Sequence, residues 1–131
     1  MQKLLFLALV PAIALAQSLD FETYRTQVEP IFLKKRPSHA RCVSCHVAAL
    51  SRFQLQLLPE GQTAWTPEQS HLNFEAVSQL VNFADVLASP ILKHPLAEDA
   101  GGDKAHSGGE QFKTREDPDW KTIERWIRSA N

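Results

Sequence analysis

Apolar positions recur with helical spacing at both ends of this chain. Over 18–36, Phe21, Tyr24, Val28, Ile31 and Phe32 fall on one face, the signature of an amphipathic helix. Ser18 or Asp20 can cap its start. Pro30 interrupts the pattern: it lacks a backbone donor and should kink the helix or restart it. Pro37 should end it. At the other end, "DPDWKTIERWIRSAN" opens on Asp117 and Pro118. It carries one stripe of Trp120, Ile123, Trp126 and Ile127. The two stripes could pack on each other.

Between them the pattern is weaker. Phe53, Leu55 and Leu57 alternate before a Pro-Glu-Gly turn, as in a short strand, although a helical turn is nearly as compatible. "TPEQSHLNFEAVSQLVNF" reads as a helix with a capping box, Thr66 with Gln69, and Pro67 in the first turn. Leu72, Val77, Leu80 and Val81 should face its core. Ser89 can cap a short helix that stops at Pro95. Residues 97–116 hold four of the five glycines and form a long loop, a length usually tied to function or disorder. There is no internal repeat. The expected fold is all-α, a small helical domain with its N- and C-terminal helices packed together.

The first residues, "MQKLLFLALVPAIALAQS", combine a positive start, an apolar run and an Ala-x-Ala site. This is the pattern of a secretory signal peptide over 1–16, leaving a domain at 17–131 and an exported, periplasmic or extracellular, location. The apolar run falls short of the roughly 20 residues of a transmembrane span. Lys3 is the one charge removed with it, so the net charge moves from −1 to −2. That excludes the basic excess of a nucleic-acid binder. Charge is uneven, with net +3 over 17–58 and net −5 over 59–131.

Composition becomes informative at the cysteines. There are two, both within "RCVSCHV" at 41–47. An exported domain would ordinarily join them, but a disulfide closing so small a loop constrains little of the unfolded chain. Structural zinc needs four ligands, commonly with a second Cys or His pair. A redox dithiol needs a βαβ context that the pattern lacks. Cys42, Cys45 and His46 do fit c-type haem attachment. Two thiols one helical turn apart can each bond a vinyl group of one porphyrin, and the adjacent imidazole becomes the proximal iron ligand.

With this motif, the helix that leads into "CVSCH", the glycine-rich loop and the helix "DPDWKTIERWI", the chain resembles a class I-type monohaem cytochrome c. More narrowly, "SPILKHPLAEDAGGDKAHSGGEQF" followed by "DPDWKTIERWI" is similar to exported cytochrome c domains with "HGG" loops. The resemblance covers most of 17–131, and only its attachment motif is highly specific. It implies a helical fold around one covalent haem c, crossing terminal helices, and single-electron transfer between redox partner proteins rather than enzymatic turnover.

Many such relatives use a distal methionine. Here the sole methionine is Met1, which departs from the pattern. His106, in the loop before the last helix, is the leading distal candidate, and His94, in "KHP", is the alternative. His39 lies too near the proximal side, and His71 is expected to face solvent or a cap. Two imidazoles would give a lower potential than Met/His ligation. An open, five-coordinate iron would instead make a ligand-binding or sensor module. Lys34, Lys35, Arg36, Arg41 and Arg52 surround the motif in sequence. They are either a solvated face or a basic rim that steers an acidic partner.

Overall fold

The computed structural model describes residues 16–47 and 51–131. The expected signal peptide therefore lies, apart from Ala16, outside the described residues. Among those residues, six α-helical segments succeed one another: α1 (Phe21–Thr23), α2 (Glu29–Leu33), α3 (Cys42–His46), α4 (Pro67–Ser78), α5 (Pro90–Lys93) and α6 (Pro118–Arg128). Among the described residues there is no strand, only a single parallel bridge between Leu96 and Phe112. The architecture is all-α. No helix among the described residues is long and apolar enough to cross a membrane.

The conflict at Pro30 is resolved without a break. Asp20 caps α1 by accepting from the Thr23 N–H. The chain then widens into a π turn, Tyr24–Val28, before α2 begins. Glu29 N–H bonds to Tyr24 O, five residues back. The wider turn removes the need for a donor at Pro30 and relieves its clash with the preceding turn. The helix ends at Leu33 rather than at Pro37, because Lys34 is already extended.

The last helix packs antiparallel against this composite first helix. At one end Ser18 and Asn131 exchange backbone hydrogen bonds of 2.8 and 3.3 Å. Nearby, Trp126 Nε1 donates to Asp20 O at 2.9 Å, and its ring lies 5.5 Å from that of Tyr24. At the other end Lys34 pairs with Asp119 at 2.7 Å, and Arg36 with Asp117 at 3.0 Å and with Asp119. All four residues of the α6 stripe are buried, as are Tyr24, Val28, Ile31 and Phe32.

Asp117 also caps α6, accepting from the Asp119 and Trp120 N–H groups. Burial, the largest single influence, opposes its ionisation, but Arg36 and the two N–H groups outweigh it and hold its pKa below the usual value. The carboxylate therefore stabilises the fold above the unfolded-state pKa, and this is lost as pH falls through the lower folded value. Asp117→Asn keeps a capping oxygen and removes the charge. It should lower the urea midpoint at pH 7 and flatten the decline of that midpoint below about pH 4.

Two expectations need correction. Phe53 and Leu55 do turn inward, but Leu57 is 67% exposed and the segment pairs with no strand among the described residues. Its backbone is satisfied elsewhere: Gln56 N–H donates to Asn73 Oδ1 at 2.7 Å, and Gln56 O accepts from Trp65 Nε1 at 2.8 Å. In α4 the capping box forms as expected, but Leu72 faces outward. The buried positions are Ser70, Asn73 and Val77, and Leu80 is buried just past the helix end. This inward face is partly polar because it meets buried Glu29, whose carboxylate accepts from Ser70 Oγ at 2.7 Å.

Candidate cofactor-binding site

The attachment motif forms the short helix α3, and the helical period sorts its side chains. Val43 turns into the core, 5% exposed. Cys42, Cys45 and His46, at positions i, i+3 and i+4, share the other face and line one cavity of about 620 Å³. Both cysteines are free thiols, and burial pushes the Cys42 thiol up to about 11. The cavity has apolar walls from Ile31, Phe32, Ile91 and Phe112. Its size lies within the range of small-molecule and cofactor sites, about 300–1,000 Å³.

His46 is held by the segment just beyond the motif. Its Nδ1 donates to Phe53 O at 2.9 Å, with Ser51 Oγ at 3.2 Å. A carbonyl can only accept, so Nδ1 carries the proton and Nε2 keeps its lone pair. Phe53 also packs on the ring, 4.5 Å between centres. Desolvation pulls the His46 pKa below its usual value; the Phe53 carbonyl opposes this, and repulsion from His106 and His94 adds to it. The net effect favours the neutral imidazole, the form able to bind a metal.

His106 lines the same cavity. Its Nδ1 donates to Gly109 O at 2.7 Å, and Gly109 N–H donates back to His106 O at 2.9 Å. The turn needs its glycines: Gly109 has φ +83°, and a Cβ on Gly108 would sit 3.3 Å from His106 Cε1. The His46 and His106 rings have centres 6.2 Å apart and planes 14° apart.

The other histidines are placed differently. His94 also lines the cavity, but its Nδ1 contacts Asp103 and its side chain is 60% exposed. His39 donates to Pro37 O at 2.7 Å and packs against Gly109, outside the cavity lining. His71 stacks on Phe21 at 3.7 Å, rather than serving as a cap.

Among the described residues no three His, Cys, Asp or Glu side chains converge on a bare-ion site. The cavity offers two imidazoles with ring centres 6.2 Å apart and two thiols. That donor set fits a metal that brings its own equatorial ligands together with groups for thiols to bond. By number these are the four ligands of a Cys₂His₂ zinc site, but among the described residues no three of them converge closely enough to hold a bare ion. Of the five basic residues around the motif, Lys34 and Arg36 are committed to α6 and Lys35 donates to His39 O. Arg41 and Arg52 line the cavity, are exposed, and form no salt bridge among the described residues. Their position is the one remnant of a basic rim.

Comparison of the chain with protein-family models, with characterised proteins and with solved structures finds no match.

Proposed function

We propose that this chain is an exported monohaem c-type cytochrome that carries single electrons between redox partner proteins and is not itself an enzyme. The observation that carries the reading is the convergence of Cys42, Cys45 and His46 on one cavity wall, with the His106 ring 6.2 Å from that of His46. The resemblance of "CVSCH", the glycine-rich loop and the last helix to class I cytochromes c points the same way.

In this reading Cys42 and Cys45 would tether the porphyrin through thioether bonds, and His46 and His106 would hold its iron. A bound haem supplies the one-electron iron couple. The protein's residues set its conditions. Phe53 O and Gly109 O fix both imidazole tautomers and strengthen the rings as donors. The apolar walls keep water from the metal and raise the cost of added charge. His106 in place of a thioether sets a potential below that of Met/His ligation. Arg41 and Arg52 put positive charge at the cavity edge, where an acidic partner would dock in a salt-sensitive way.

The full chain, expressed in a host that matures c-type cytochromes, tests the covalent reading. After denaturation the polypeptide should retain the haem absorption, and a Cys42→Ala/Cys45→Ala variant should retain none. Loss of all pigment from the denatured unsubstituted protein would overturn the proposal.

A further inference from the structure

We infer that Gln111 is the positioning residue for His106, clamping the glycine turn to the attachment segment with a single side-chain amide. Gln111 is 7% exposed. Its Nε2 donates to Ala40 O at 3.2 Å and to Gly108 O at 3.1 Å. Ala40 lies two residues before Cys42, and Gly108 two residues after His106. One amide therefore spans both walls of the cavity. Both partners are carbonyls, so the amide must present its NH₂ group, and not its oxygen, to them.

The clamp has a rigid base. The next residue, Phe112, donates its N–H to Pro95 O at 3.0 Å and accepts from Ala97 N–H at 2.9 Å. Its ring lies 4.7 Å beneath the Arg36 guanidinium. Gln111 is thus carried on a pinned stretch of backbone. The turn it holds contains Gly108 and Gly109, which contribute no side-chain packing of their own. His39 adds one contact, since a Cβ on Gly109 would sit 3.0 Å from its ring.

The inference rests on His106 as the distal ligand, and its test separates the two. Gln111→Glu preserves the shape and removes both donors. Gln111→Met removes them without adding charge. In the haem-loaded full chain, carbon monoxide binding to the ferrous protein requires His106 to leave the metal. Both variants should bind carbon monoxide about tenfold faster than the unsubstituted protein, the order of change expected when two hydrogen bonds no longer oppose a local opening. Both should also gain a high-spin fraction in the ferric spectrum. A lowered melting temperature with unchanged carbon monoxide kinetics and spin state in both variants would show a merely structural residue and overturn the inference. A His106→Ala protein that stays fully low-spin would instead overturn the ligand assignment beneath it.

Discussion

His106→Ala should convert the ferric haem protein from a low-spin to a predominantly high-spin spectrum, while His94→Ala leaves it low-spin. The two histidines line the same cavity but are held differently. His106 is fixed by Gly109 O on its Nδ1, with its ring centre 6.2 Å from that of His46. His94 sits at the end of α5, engaged with Asp103 and 60% exposed. To serve as the ligand it would have to give up that contact and move inward. Removing one strongly donating imidazole should also raise the potential and open the iron to carbon monoxide. Absorption spectra of both variants, with and without carbon monoxide, provide the check. The reversed pattern, with His94→Ala high-spin and His106→Ala low-spin, would assign the distal position to His94.

Trp126→Ala should cost about 3–5 kcal/mol of folding stability, the usual range for truncating a buried aromatic. Trp126 is 1% exposed. It packs against Tyr24 and Phe74 at 5.5 and 6.2 Å, and its Nε1 donates to Asp20 O. It therefore joins α6, the composite first helix and α4 at one point. Truncation leaves a cavity and an unpaired carbonyl together. Domains are stable by only about 5–15 kcal/mol, so the urea midpoint should fall steeply. Leu57→Ala, at a 67% exposed position, should change stability by no more than about 0.5 kcal/mol. Equal midpoints for the two variants would contradict this account of the core.

Much of the helical scaffold is legible in the sequence because it rests on local rules. The α6 stripe, the Thr66–Gln69 capping box and the Asp117 cap each involve residues within one or two turns of each other. The spacing within "CVSCH" likewise states which side chains share a face. Other features depend on partners far away in the chain. The inward face of α4 excludes Leu72, against its periodicity, because buried Glu29, 41 residues before Ser70, accepts a polar neighbour. The segment around Leu55 alternates like a strand, yet its backbone bonds go to the Asn73 and Trp65 side chains and to His46 O. The basic cluster lies within residues 34–52 of the sequence, but Asp117 and Asp119 neutralise Arg36 from more than 80 residues away. Gln111 carries no sequence signal at all, since its partners are two backbone carbonyls, one of them 71 residues distant.

By itself the sequence determined an all-α class, two terminal stripes able to pack together, and a thiol–thiol–imidazole set on one face of one helical turn. Those arise from periodicity and short-range hydrogen bonding, which need no knowledge of distant residues. Only the tertiary structure decided which histidine ring lies 6.2 Å from that of His46, which cations stay at the cavity edge outside the α6 ion pairs, and which side chain bonds both the Ala40 and Gly108 carbonyls. These are matters of distance between segments separated by tens of residues. Packing of the terminal helices and side-chain hydrogen bonds to distant backbone carbonyls set those distances, and neither is written in any local pattern.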